Sequence, residues 1–264
     1  MDFSTYEAIA FSRDGRILTV TLNRPGTLNA ADPVLQEELA RVFDDCAQDP
    51  GSDVVVLTGA GRAFSAGGDL QWMRSRTFDE RAFAMEARTA RTTVFSILDC
   101  PKPIIAKVNG DAIGLGATLA LMCDFVIADE TARFADPHVR VGLAAGDGGA
   151  VIWPQLIGFL RAKAYLLLGD TLDAAEAARI GLITLAVPSD ALDEVTAGYA
   201  ARLAAGAQQA IRYTKIAVNL QLKQIMANVF DAGIAYEGLT MASRDHKEAV
   251  SAFIEKRKPV FGPT

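Results

Sequence analysis

Histidine and cysteine are scarce in this chain. Its 264 residues hold two histidines, His138 and His246, and three cysteines, Cys46, Cys100 and Cys123. The cysteine set is odd, widely spaced and without a C-x-x-C pair. That excludes a disulfide framework and a zinc site, and fits reduced thiols in the cytoplasm. Positive charge is in deficit: 26 Lys and Arg against 32 Asp and Glu give a net charge of −6. A nucleic-acid backbone asks for a basic face, so nucleic acid is excluded as the main partner, whereas a small anionic ligand needs only a few local cations. No apolar run reaches the roughly 18 residues of a membrane helix. The opening "MDFSTYEAIAFSRDG" has no basic start, apolar centre or small-residue cleavage site. Neither a membrane span nor a secretory signal is therefore expected. The chain is 50% hydrophobic and 22% charged, which suits a folded core of one large domain or two small ones.

The hydropathy pattern reads as α/β. "YEAIAFSRDGRILTVTLNRP" alternates on both sides of Asp14-Gly15 and predicts a hairpin ended by Pro25. Asp32-Pro33 starts a helix through about Cys46, with Asp32 as N-cap. "DVVVLTG", "KPIIAKVNG" and "DFVIAD" are buried strands, and 79–98 has helical spacing. Helices dominate from about Ala150, with one short strand in "LITLAVP", and 190–256 reads as helical almost throughout. No fixed-period repeat and no low-complexity linker interrupts the chain.

Two strand–glycine-loop–helix units recur: "VVVLTG" then "SAGGDL", and "IIAKVNG" then "IGLGATL". Such loops expose backbone N–H groups at a helix N-terminus and favour negative charge. Dinucleotide binding is disfavoured, because "GAGRAFSAGG" is not G-x-G-x-x-G and lacks the acidic residue about 20 positions on; no G-K-[S/T] exists either. A nucleophile elbow at Ser65 fails because Ala63 stands where glycine is required. Two loops in tandem can instead supply two backbone donors to an oxyanion. Close helix–strand packing is the structural alternative. "RFADPHVRVGLAAGDGG" adds Asp136, His138 and Asp147, a candidate base with acidic neighbours.

At these residues the chain resembles the crotonase, or enoyl-CoA hydratase/isomerase, family. The resemblance rests on "LNRP", "AFSAGGDL", "KPIIAKVNGDAIGLGATLALMCDFVIAD", "FADPHVRVGL" and "FIEKRKPVF", in that order, and spans about 5–261. It implies an α/β spiral of ββα units, residues 1–200 forming the core with an acyl-CoA site and 201–264 a helical trimerisation region. The protein would be a homotrimer or homohexamer acting on a coenzyme A thioester, with no cofactor beyond the coenzyme A that the substrate carries. The oxyanion donors would be the N–H groups of Gly68, in Ala66-Gly67-Gly68-Asp69, and Leu115, in Gly114-Leu115-Gly116. The coenzyme A arm would run past Arg24, Thr27, Leu28, Ala66, Asp69, Leu70 and Gly116, with Phe253 and Lys256 closing over the nucleotide end.

The chain departs from the family where hydratases keep two glutamates. One position is Thr118; the other, after Phe134-Ala135-Asp136-Pro137, is His138. An imidazole with its ordinary pKa near 6.5 can take and return a proton. His138 is therefore the expected base, with Asp136 or Asp147 orienting it and Thr118 a hydrogen-bonding contact. Asp147 could equally cap the helix that follows. The usual Lys after "RP" is Gly26, which removes one cation for the coenzyme A phosphates. Trp72, Met73, Met85 and Trp153 are candidates to line an acyl pocket. The expected activity is enoyl-CoA hydration; isomerisation, thioester hydrolysis and acyl-CoA binding without turnover are the alternatives.

Overall fold

The structure, a computed structural model, describes residues 1–75 and 78–262. The expected hairpin forms from β1 (Ile9–Asp14) and β2 (Ile17–Leu22), with Gly15 at φ +52° in the turn. Helix α1 (Pro33–Gln48) starts as expected, the Asp32 carboxylate accepting from the Leu35 N–H at 3.0 Å. Three strand–strand–helix units follow. The first is β3 (Val54–Gly59), β4 (Ala63–Ser65), α2 (Leu70–Arg74) and α3 (Glu80–Asp99). The second is β5 (Ile104–Val108), β6 (Asp111–Ile113) and α4 (Leu115–Leu121). The third is β7 (Phe125–Asp129), β8 (Arg133–Ala135), a 3-10 turn over His138–Val141, and α5 (Gly149–Ile157). The chain continues through α6 (Phe159–Leu168), β9 (Leu172–Asp173), α7 (Ala174–Arg179), β10 (Leu185–Val187), α8 (Leu192–Ala204), α9 (Gln208–Met241) and α10 (Arg244–Ile254).

The long strands form one sheet in the order β1-β2-β3-β5-β7-β10, parallel from β2 onward. β3 is buried along its whole length, as its unbroken apolar run requires of a strand covered on both faces. One face carries Leu39, Val42, Phe43 and Ile97 of α1 and α3 in the main core. The other packs Val54, Val56, Ile105 and Ile127 against Leu192 and Ala200 of α8. The short strands form a second sheet, β4-β6-β8-β9, whose first three members are parallel. This ββα spiral agrees with the family expectation. Residues 201–262 are mostly α9 and α10, and they lie against the core: α9 on α3 and α5, α10 on α2 and the His138–Val141 turn. Among the described residues no helix is long and apolar enough to cross a membrane.

Asn29 ties the entrance of the first glycine loop to this frame. It is fully buried at φ +57°. Its Nδ2 donates to the carbonyls of Ala60, Ala63 and Phe64 at 2.9–3.1 Å, and its Oδ1 accepts from the Arg24 N–H at 2.8 Å. Truncation to alanine strands buried polar groups, so Asn29→Ala is expected to cost about 2–3 kcal/mol. Thermal melting should register a loss of roughly 5–10 °C; a shift under about 2 °C would show that the loop does not depend on this bridge.

Candidate active site

The second sheet sets the geometry. β6 lies between β4 and β8, all three parallel, so the segments leaving their C-terminal ends meet at one place. These segments are Ala66-Gly67-Gly68, Gly114-Leu115 and Asp136-Pro137-His138. The loops approach closely at Gly67, which sits at φ +85°; a Cβ there would stand 2.6 Å from the Ile113 carbonyl oxygen and 3.5 Å from the Leu115 nitrogen. Neighbouring amides are engaged: Gly67 N–H on Ser65 Oγ at 3.2 Å, Asp69 N–H on the Ala31 carbonyl at 3.2 Å, Gly114 N–H on the Ala135 carbonyl at 2.8 Å. Among the described residues the N–H groups of Gly68 and Leu115 have no protein acceptor. Backbone donors rarely stay unpaired unless water or a ligand takes them.

His138 has a carboxylate on each ring nitrogen. Nδ1 is hydrogen-bonded to Asp136 Oδ1, and Nε2 lies 3.5 Å from Asp147 Oδ2. The ring is 11% exposed and the Asp136 side chain is inaccessible. Burial pushes the imidazole down, but the charges of Asp136 and Asp147 outweigh it and hold its pKa well above 6.5. The two carboxylates thus favour the protonated ring. Burial likewise pushes the Asp147 carboxyl up; the His138 charge, the Gly149 N–H and Thr118 overcome that and hold it below the ordinary range. Thr118 Oγ1 donates to Asp147 Oδ1 at 3.4 Å. Asp147 thus lies beside His138 and Thr118, and its carboxylate also takes the Gly149 N–H at the start of α5, whose N-cap position is Gly148 at φ +126°. Donor atoms of Asp136, His138 and Asp147 lie within 4.8 Å of one another, a spread a metal could bridge. The Nδ1 donor is already committed to Asp136.

Two cavities meet at this point. One, of about 240 Å³, is lined by Trp72, Met73, Phe83, Ile234 and Val250, and also by Asp147 and other polar residues. The other, of about 670 Å³, is lined by Leu28, Ala66, Leu70 and Phe253 and by the arginines 62, 133, 140 and 257. Gly68, Leu115 and His138 border both. Of the residues expected along the second cavity, Arg24, Thr27, Asp69, Gly116 and Lys256 do not line it. Arg24 is spent on the Ala30 carbonyl and Asp32, Thr27 on the Arg24 carbonyl, Asp69 on capping α2, and Gly116 on close contact with Ser65. Trp153 lies in the core and Met85 on the surface, 67% exposed, so neither lines the acyl-sized cavity.

His246, far from His138 in sequence, comes to the same cavity because α10 packs on the His138–Val141 turn. Its Nδ1 meets the Val141 carbonyl at 2.7 Å, and burial pushes its pKa below 6.5.

Sequence reasoning missed Glu237. It lies on α9, is 7% exposed, and lines the smaller cavity with His138 and Asp147. Its Oε2 is buried without a hydrogen-bond partner among the described residues. A signal was available: Met226, Phe230, Ile234 and Met241 share one face of α9, and Glu237 interrupts that apolar stripe. The arginines of the larger cavity were missed too, because they come from four separate segments.

Comparison with known proteins identifies the family and the fold. A family model described as enoyl-CoA hydratase/isomerase matches residues 12–263. The chain is 35% identical to a crotonyl-CoA hydratase of Syntrophomonas wolfei, over 97% of this chain and 98% of that protein. It is 35% identical to a 2,3-dehydroadipyl-CoA hydratase of Escherichia coli, over 95% and 96%. The crystal structure of an enoyl-CoA hydratase/isomerase from Mycobacterium paratuberculosis superposes with a TM-score of 0.88 at 36% identity, covering 92% of this chain and 97% of that one.

Proposed function

The chain belongs to the enoyl-CoA hydratase/isomerase family, and on that premise we propose that it adds water across the 2,3 double bond of an enoyl-CoA thioester. The observation that carries this reading is the pair of unpartnered amides, Gly68 and Leu115, at the junction of two cavities beside His138. The thioester oxygen accepts both N–H groups. When water attacks C3, the electrons of the double bond move onto that oxygen, and each preorganised donor there lowers the barrier by about 3 kcal/mol. His138 and Asp147 work as one proton-handling pair. The Asp147 carboxylate takes the water's proton, the imidazolium, fixed by Asp136, keeps that carboxylate ionised at rest, and protonation of C2 completes the addition.

The larger cavity takes the coenzyme A arm. Arg62, Arg133, Arg140 and Arg257 line it, but Arg133 is paired with Asp111, Arg140 with Asp170, and Arg257 with Glu248 and Glu255, so they replace only part of the positive charge that Gly26 does not supply. The smaller cavity, with Trp72, Met73, Phe83, Ile234 and Val250 on its lining, takes the acyl chain. Coenzyme A arrives with the substrate, and the reaction uses no other cofactor. Exposed Phe159, Leu160, Leu167 and Leu168 on α6, and Tyr236 and Leu239 on α9, support a homotrimer or homohexamer that covers them. Three free cysteines suit the cytoplasm.

Incubation with crotonyl-CoA in D₂O, read by mass spectrometry of the coenzyme A species, tests the reaction. The expected product carries one added water and one carbon-bound deuterium. Deuterium without added water would replace hydration by isomerisation, free coenzyme A would replace it by thioester hydrolysis, and undiminished substrate that still binds would leave a carrier.

A further inference from the structure

We propose that Glu237 is a catalytic proton donor of this cavity, delivering to C2 of the substrate the proton that completes water addition, with Asp147 as its complementary base. The proposal rests on the hydration reading and restores, with a different pair, the two-carboxyl chemistry that Thr118 and His138 take out of the sequence.

The packing of α9 fixes the placement. Gly146 lies so close to α9 that a Cβ on it would stand 2.3 Å from the Gly233 carbonyl oxygen and 2.9 Å from Glu237 Cβ. One turn beyond Glu237 the Ala144 N–H donates to Thr240 Oγ1 at 3.0 Å. The segment 144–146 is thus clamped to α9 on both sides of Glu237, and that same segment leads directly into Asp147. A residue with a purely packing role on this stripe would be apolar like Ile234 and Met241. A buried carboxyl oxygen left without a partner is costly, and such groups mark functional sites.

The charges around Glu237 set its protonation. From the turn after β8 come His138 and Asp136; from the loop before α5, Asp147; from α10, His246 and Lys247; from α3, Glu86; and from α2, Arg74. The imidazolium is already paired with Asp136 and Asp147, and both of those carboxylates oppose a third negative charge beside them. Burial, with those two like charges and against the pull of His138, pushes the Glu237 carboxyl up to about 8. At neutral pH it is an acid with a proton to give. In the step, the Glu237 O–H bond breaks, the enolate's electron pair forms the new C2–H bond, and the thioester carbonyl re-forms. Glu237 is left ionised, and the proton that Asp147 took from water returns to it. The sum is addition of one water.

Glu237→Gln keeps shape and neutrality but cannot donate as an acid. It is expected to lower kcat on crotonyl-CoA by about 10²-fold with KM within a few-fold. The wild-type kcat should fall as pH rises through about 8, and the variant should lack that limb. A second readout needs no substrate. The folded carboxyl holds its proton above the unfolded value of 4.5, so wild-type stability declines as pH rises from 4.5 towards 8. Glutamine has no proton to lose, and the melting temperature of the variant should gain on wild type across that window. A kcat within threefold of wild type, or an unchanged alkaline limb, would overturn the proposal. Should the wild type turn over no enoyl-CoA, the hydration reading falls by itself. The melting comparison then decides Glu237: a pH-independent difference overturns it, and a widening one keeps a neutral acid in the cavity.

Discussion

Replacement of His138 by glutamine is expected to lower kcat by about 10³-fold while acyl-CoA affinity changes little. Among the described residues, His138 is the one side chain ion-paired with both Asp136 and Asp147. Glutamine retains hydrogen bonding but brings no charge, so the Asp147 carboxyl rises towards the value that burial alone would give it. Activity then weakens first at acid pH, where Asp147 becomes protonated. Stability should shift in the same sense. The raised His138 contributes stability that is fully present below 6.5 and is lost as pH rises through its folded value. The lowered Asp147 contributes stability present above 3.8 and lost as pH falls. His138→Ala is harsher, because it leaves two buried carboxylates without their cation, a defect of about 3–5 kcal/mol. Steady-state hydration kinetics of the glutamine variant, with coenzyme A binding measured in parallel, decide the matter. Normal binding with the rate lost fits the catalytic pair; a rate within threefold of wild type would remove His138 from the chemistry.

How much of this was legible depended on whether a residue's role shows in its local pattern. The long strands and helices did, because burial imposes a period. "DVVVLTG" became β3 and 79–98 became α3 with shifts of a residue or two. The three-residue strands β4, β6 and β8 did not, since three residues carry no period; yet their sheet brings Gly68, Leu115 and His138 together. His138 stood out by rarity and by its place after Pro137. Asp147 was ambiguous between cap and site, because an acidic residue ahead of a helix serves either; only its approach to His138 separates the two. Glu237 was hidden by the regularity of a 34-residue helix that reads as helical with or without it. His138 and Asp147, which share its cavity, lie 90 residues or more away in sequence, and no local rule joins them to it. His246 was hidden in the same way, by the docking of α10.

The glycine loops give the second large effect. Gly67→Ala is expected to reduce kcat by about 10²–10³-fold, the range seen when one oxyanion donor is removed. A methyl group at Gly67 would stand 2.6 Å from the Ile113 carbonyl oxygen, and that carbonyl belongs to the strand that leads into Leu115. The clash cannot be relieved by a rotamer, because the opposing atom is backbone. Either loop must withdraw, and both amides sit within two residues of the contact. A displacement of about 1 Å is enough to cost on the order of 10² in rate. The φ of +85° adds a strain of about 1–2 kcal/mol for any residue with a Cβ. That strain alone could lower activity through instability, so Gly15→Ala serves as the control. Gly15 has φ +52° but nothing within 4 Å of its Cβ position. It should show a similar loss of melting temperature with kcat intact. A Gly67 variant that melts like the Gly15 variant yet is far slower would tie the rate to the two amides. If both variants kept wild-type kcat, the Gly68 and Leu115 donors would play no part in the transition state, and the thioester oxygen would have to be held elsewhere.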